Sequence, residues 1–234
     1  LPAMESPFAS TDDAFGEMRS VAAWLAGAGK FFIALGGEHA LTAPLVAGVA
    51  GVHPGVTVLQ IDAHADLRQA FEGFAWSHAS IFHNVMTRLP KVGKLVQVGI
   101  RDVGSREVAF AERSKGRVHT FYDQRLRDMQ FGGATWTAVC KRIIAALPKT
   151  VYISFDIDGL TSEHCPNTGT PVPGGITFPE ICHLLELLAH SGKRVVGFDL
   201  CEVAPGPSGD WDANVGARAL YKLLGCTLRS HRAK

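Results

Sequence analysis

Five short apolar runs recur along the chain, and each meets polar or ionisable residues at its end. "KFFIAL" (30–35) leads into "GGEH", "VTVLQI" (56–61) into "DAHAD", and "KLVQVGI" (94–100) into "RD". "TVYISFDID" (150–158) and "RVVGFDLCEV" (194–203) carry their acids within the run itself. The runs are continuous rather than alternating, the pattern of strands buried on both faces of a parallel sheet. Between them lie segments with helical spacing. "DDAFGEMRSVAAWLAGAG" stops in glycines, as a helix end does. "TWTAVCKRIIAALP" and "TFPEICHLLELLAHSG" place apolar residues at the same period. Thr177 to Glu180 reads as a capping box, with proline at a tolerated early position. The repetition predicts an α/β fold of three layers, α/β/α, around a central parallel sheet. No short repeat and no Pro/Gly/Ser-rich linker interrupts it, so residues 1–234 read as a single domain.

Composition narrows the partners. A chain of 234 residues, 47% hydrophobic and 19% charged, is long and apolar enough for a substantial core. A net charge of +1 gives no electrostatic footprint for nucleic acid or an anionic membrane. The basic tail "TLRSHRAK" reads as a solvated terminus. The five cysteines are odd in number and none has CxxC spacing, which argues against a disulfide framework and for a reducing cytoplasm. No run approaches the ~18 apolar residues of a membrane span. "LPAMESPFAS" lacks the basic and apolar regions of a signal peptide.

Ligands of open parallel sheets bind outside the carboxyl ends of the strands. There the chain collects His39, then Asp62, His64 and Asp66, then Asp156 and Asp158, and finally Glu202. Singly, each has an ordinary reading: an Asp after a strand forms turns or caps helices, and one His is more often structural than a ligand. As a set they differ. Four carboxylates and two imidazoles brought together without cations carry a large repulsive and desolvation cost, which divalent ions remove. Residues i, i+2 and i+4 of an extended segment share a face, so Asp62, His64 and Asp66 would point together, and Asp156 and Asp158 likewise. Six such ligands suffice for two metals with one or two carboxylates bridging. The oxygen-rich set favours Mn²⁺ over zinc. Two ions roughly 3.5–4 Å apart generate a bridging hydroxide and neutralise charge in a hydrolytic transition state.

At these residues the chain resembles a known family. "GGEHA", "DAHADLR", "SHAS", "SFDIDGL", "TGTPVPGG" and "EVAP" occur in order. They resemble the ureohydrolases: arginases, agmatinases, formimidoylglutamases and relatives. The likeness runs from about Lys30 to the end, and it implies an arginase-like fold. It also implies two Mn²⁺ per chain, one held by His39, Asp62, Asp66 and Asp156, the other by Asp62, His64, Asp156 and Asp158. The bridging hydroxide would attack a guanidinium carbon, with Asp66 orienting it and accepting its proton. His78 matches the histidine that shuttles protons to the leaving amine, work suited to an imidazole. Glu202 matches the glutamate that pairs with the substrate guanidinium. The loop "TGTPVPGG" (168–175) sets a turn near the site. By analogy the protein would be a homo-oligomer, a trimer or hexamer.

The substrate is narrowed by departures. Arginases carry asparagine where this chain has Arg68, and aspartate where it has Gly104, so L-arginine is disfavoured. "DAHADLR" followed by "FEGFAWSHAS" is most similar to agmatinases, which make putrescine for polyamine biosynthesis. Other features pull away. "GLTSEHCP" has Thr161 and Ser162 in place of the usual Asp-Pro, and "GPSGDWDANVGARALYKLL" is unlike the segment that follows "EVAP" in agmatinases. Arg68, if it faces the pocket, would favour an acid such as 4-guanidinobutanoate. The family's opening strand and Gly/Pro/Arg-rich loop are expected to be absent from this chain. A non-catalytic metal-binding protein of the same fold stands as the alternative from another class. A nucleotide-binding reading is set aside, since there is no P-loop and no suitable GxGxxG.

Overall fold

The structure, a computed structural model, describes residues 11–207 and 209–232. In chain order its elements are α1 (Thr11–Gly27), β1 (Phe32–Leu35), α2 (Thr42–Val52), β2 (Val56–Ile61), α3 (Ile81–Arg88), β3 (Val92–Ile100), α4 (Ser105–Arg113), β4 (Val118–Tyr122), α5 (Asp123–Phe131), α6 (Trp136–Ala146), β5 (Thr150–Asp156), α7 (Phe178–Ala189), β6 (Arg194–Cys201) and α8 (Trp211–Ser230). The six strands form one sheet in the order β1-β6-β5-β2-β3-β4. Every pairing is parallel.

Each expected strand is present, β2 over the residues expected and the others with shifted bounds. The run over 150–158 ends as a strand at Asp156 and turns at once into a 3₁₀ turn, Ile157–Gly159. The run over 194–203 ends at Cys201. The strand β4 had no continuous apolar run to announce it. It lies at the sheet edge, where only its first residue is buried, so "VHTFY" is under no pressure to be apolar throughout. The helix α2 (TAPLVAGVAGV) was equally quiet. It is buried over most of its circumference and so carries no amphipathic stripe. Thr177 does cap α7, with Glu180 closing the box.

Two apolar layers sandwich the sheet. Residues of α1 to α4 pack with Val56, Val58, Leu95 and Tyr152 on one face. Residues of α5 to α8 pack with Leu59, Ile61, Val96 and Ile153 on the other. Strand neighbours thus alternate between two dry cores, which explains the continuous runs. Burial of each such Leu, Ile or Phe contributes about 1.5–3 kcal/mol.

One row breaks the apolar rule. Asp199, Ser154, Gln60, Gln97 and Thr120 occupy register-matched positions on β6, β5, β2, β3 and β4. Thr120 Oγ1 donates to Gln97 Oε1 at 2.7 Å, and Gln97 Nε2 donates to Gln60 Oε1 at 2.6 Å. The row lies just below the carboxyl ends of the strands. Its place is set by the topology: from β2 the chain proceeds outward to β3 and β4, and from β5 the other way to β6. Loops leaving β2 and β5 therefore diverge and open a crevice between them.

Candidate metal centre

The first ligand candidate, His39, opens a 3₁₀ turn after β1 and is 1% exposed. Its Nδ1 lies 3.2 Å from Asp62 Oδ2, 3.2 Å from Asp66 Oδ2 and 3.3 Å from Asp156 Oδ2. Its Nε2 lies 2.8 Å from Ser154 Oγ. Ser154 in turn donates to Asp199 Oδ1 at 2.8 Å, and Tyr152 donates to Asp199 Oδ2 at 2.8 Å. With the serine proton committed to Asp199, Nε2 is the donor to serine, which leaves Nδ1 as the ring atom offered to the carboxylates. Nδ1 is buried, makes no hydrogen bond and faces three carboxylates. A cation bound there satisfies all four groups at once, with Nδ1 deprotonated as a ligand.

A second group adjoins the first. His64 Nδ1 lies 2.9 Å from Asp158 Oδ2 and 3.5 Å from Asp62 Oδ1. Asp62 belongs to both groups, with one oxygen toward each imidazole.

The local folding that aims these side chains is not the simple extended alternation expected. Asp66 has φ +54, in the left-handed region. There its carbonyl meets the backbone N–H groups of Phe82 and His83 at the start of α3, at 3.0 and 3.2 Å. Asp158 sits in the 3₁₀ turn rather than in a strand. What the two motifs share is a carboxylate bent back on its own chain: Asp62 Oδ1 accepts from His64 N at 2.6 Å, and Asp156 Oδ1 accepts from Asp158 N at 3.0 Å. Gln60 Nε2 holds the other Asp62 oxygen at 2.8 Å.

Charge follows geometry. Burial lowers the pKa of His39, but Asp156, Asp62 and Asp66 more than reverse this, and the net shift is upward. His64 is likewise pulled down by burial and pushed up by Asp158 and Asp62, to about 11. Burial raises Asp66 and Asp156, with Asp62 and Asp158 respectively as the next cause. Asp158 is raised by burial and then by Asp62. Asp62 is lowered: burial would raise it, and the two imidazoles outweigh that. A metal-free cluster thus retains protons that metal ligands must give up.

The two remaining sequence candidates flank the cluster in a cleft of about 530 Å³. Glu202 follows β6 with φ +62, and its Oε1 accepts from the His39 backbone N–H at 2.8 Å. Burial raises its pKa. His78 stands partly exposed, Nδ1 3.1 Å from Glu38 Oε1, with its ring and that of Phe71 in an edge-to-face contact, centroids 5.4 Å apart. Arg68 also lines the cleft, its Nε 3.8 Å from buried Glu107 and its guanidinium over the Phe71 ring at 5.3 Å. The loop 168–175 is held by Arg101, whose Nη2 donates to the carbonyls of Asp158 and Val172 at 2.7 and 3.0 Å.

Sequence reasoning missed Ser154, Asp199, Glu38, Asp102 and the glutamine pair. A signal existed. Gln60, Gln97, Ser154 and Asp199 are polar residues inside runs otherwise apolar, each just before the run's end.

This geometry agrees with what the chain is similar to. The model of the Arginase family matches residues 3–226. The chain belongs to the arginase family. Among curated relatives, the N(1)-aminopropylagmatine ureohydrolase of Thermus thermophilus is 37% identical over 200 residues, covering 85% of this chain and 63% of that protein. The agmatinase of Bacillus anthracis is 31% identical over 203 residues, covering 85% and 64%. Among arginase-family structures, the proclavaminate amidino hydrolase from Streptomyces clavuligerus superposes with a TM-score of 0.81 at 26% identity, covering 97% of this chain and 73% of that one. The chain therefore spans just under two thirds of the length of the curated arginase-family relatives it matches.

Proposed function

We propose that this arginase-family chain is a binuclear manganese hydrolase that releases urea from a guanidino compound, with agmatine to putrescine as the favoured reaction. The observation that carries the reading is Asp62. One of its oxygens faces His39 and the other faces His64, with Asp158 2.9 Å from the second imidazole. His39, Asp62, Asp66 and Asp156 would hold one ion; Asp62, His64, Asp156 and Asp158 would hold the other. Such a pair supplies an activated water and charge neutralisation for attack on a planar guanidinium carbon.

The rest falls to the protein. Glu202, with its second oxygen toward the cleft wall at Gly169, would accept N–H groups of the guanidinium and fix its plane. Asp66 would take and hold a proton. His78, with Nδ1 tied to Glu38, leaves Nε2 free to deliver a proton to the departing amine. Beyond these, the cleft carries the exposed carboxylates of Glu38 and Asp102, while Arg68 is already faced by Glu107. That balance favours a cationic tail over an acidic one. A guanidino acid remains the second reading, carried by the outer guanidinium edge of Arg68. Among the described residues no helix is long and apolar enough to cross a membrane. A cytoplasmic homo-oligomer serving polyamine biosynthesis completes the proposal.

The test is urea release from agmatine, N1-aminopropylagmatine, L-arginine and 4-guanidinobutanoate by the Mn²⁺-loaded protein, with Asp156→Asn as control. Urea from the amines, lost in the variant, supports the reading. Urea from the acid alone favours the second reading. Bound Mn²⁺ without urea from any of them favours a non-catalytic metal protein.

A further inference from the structure

A buried carboxylate remote in sequence from the cluster reaches the same cleft wall. Asp212, in the first turn of α8, is 1% exposed. Acids in a first turn commonly serve the helix itself. The carboxylate of Asp212 is instead turned onto one loop residue: Oδ1 accepts from Asn167 N at 3.0 Å, and Oδ2 accepts from Asn167 Nδ2 at 2.9 Å. This two-point grip fixes both the backbone and the side chain of Asn167. The next residue, Thr168, is buried and donates from Oγ1 to the Glu202 carbonyl at 2.8 Å. Gly169 follows, where an added Cβ would lie in ordinary van der Waals contact with Glu202 Oε2, at 4.0 Å. Thr170 then donates to Asp158 Oδ2 at 3.4 Å. Gly169 and Thr170 line the cleft.

We propose that Asp212 is a positioning residue: through Asn167 and Thr168 it sets where the 168–170 wall and Glu202 stand, and so how the cleft holds a guanidinium group. This rests on the guanidino reading of the cleft. Glu202 needs the support because its backbone is in the left-handed region, which a non-glycine residue keeps only when its surroundings hold it there. The Glu202 N–H is tied to the Gly37 carbonyl at 2.9 Å, and Thr168 ties the carbonyl on the other side. The cluster of aspartates and histidines has its own anchors, so loosening this grip alters substrate placement before it alters metal binding.

The experiment compares Asp212→Asn, Asn167→Asp, the double exchange and Thr168→Val, all loaded with Mn²⁺. Metal content, KM and kcat for the best guanidino substrate, and the calorimetric Kd of guanidinium chloride are read together. Each single change is expected to raise KM and the guanidinium Kd about tenfold, the cost of one buried hydrogen bond, with kcat and metal content nearly unchanged. The double exchange keeps a two-point grip, since an amide oxygen at 212 still accepts the backbone N–H of 167 and only the side-chain bond swaps donor and acceptor, and it is expected to restore both constants. Unchanged constants, or loss of metal with no selective rise in KM, would overturn the proposal. Should an Asp212 or Asn167 variant fail to fold, Thr168→Val decides alone, by the same criterion. A wild type that binds guanidinium but releases no urea sinks the hydrolase reading and leaves Kd to judge the grip; one that does neither overturns both.

Discussion

Asp158 Oδ1 accepts the backbone N–H of Ala63 at 3.0 Å, joining the turn after β5 to the loop after β2 across 95 residues of chain. The contact requires close approach of two main chains. Gly159 makes the room: a Cβ there would sit 2.7 Å from Asp62 N. The crevice between the diverging loops is thereby closed at its base, and the two halves of the cluster meet.

Gly159→Ala is therefore expected to spread the two loops apart. Overpacking of this kind costs about 1–3 kcal/mol, which in a chain of this size lowers Tm by roughly 2–4 °C per kcal/mol. Metal content should fall with it, because Asp158 moves with the turn. Thermal unfolding and metal analysis of the purified variant check this; an unchanged Tm and full metal content would show that the loops have slack.

Asp62 faces both imidazoles, whereas Asp158 faces only His64 among the histidines. Asp62→Asn should therefore empty both metal positions and Asp158→Asn only one. After dialysis, metal analysis is expected to read near zero ions per chain for the first and near one for the second. Activity should fall at least about 100-fold in each, beyond the effect of removing an outer partner. Equal metal loss in both would contradict a shared Asp62.

Metal removal should reverse the pH dependence of stability. A histidine whose folded pKa is raised stabilises the fold below its unfolded value of about 6.5, and the gain is lost as pH rises through the folded value. For His64 that value is about 11. Asp66, Asp156 and Asp158 are also raised, so above the ordinary carboxylate range they too favour the unfolded chain as pH rises. Asp62 is lowered and acts only in the acid range. Metal-free protein should then lose Tm steadily from pH 6 to 9. Mn²⁺ binding must release those protons, so it tightens with pH, and the added stability grows with it. Paired thermal melts with chelator and with excess Mn²⁺ measure the gap, which must widen toward alkaline pH.

Arg68 is tied to Glu107 and stacked on Phe71 at the cleft wall. With a cationic substrate, Arg68→Ala removes a like charge. It should leave kcat/KM for agmatine unchanged or raise it a few-fold, consistent with about 0–1 kcal/mol for a half-exposed pair. A tenfold or larger loss with 4-guanidinobutanoate but not agmatine would instead assign Arg68 to a substrate carboxylate.

Much of the site was legible in the chain because its determinants are local. Continuous apolar runs of strand length declared a sheet buried on both faces, and the ionisable residues at the ends of those runs declared one functional rim. His39, Asp62, His64, Asp66, Asp156, Asp158, His78 and Glu202 could all be named from short motifs. What spacing could not supply was the backbone at Asp66, Asp158 and Glu202, where left-handed and 3₁₀ conformations replace the extended chain. Nor could it supply relations between distant segments. Gln60, Gln97, Ser154 and Asp199 become a supporting row only once parallel register sets them side by side. Asn167 and Asp212, 45 residues apart, meet only because the first turn of α8 stands beside the loop that follows β5. Residue type and periodicity decide which groups are buried and which end of a strand they occupy, since those depend on a few neighbouring side chains. Which groups then touch depends on strand order and loop path, and the whole folded chain sets those together.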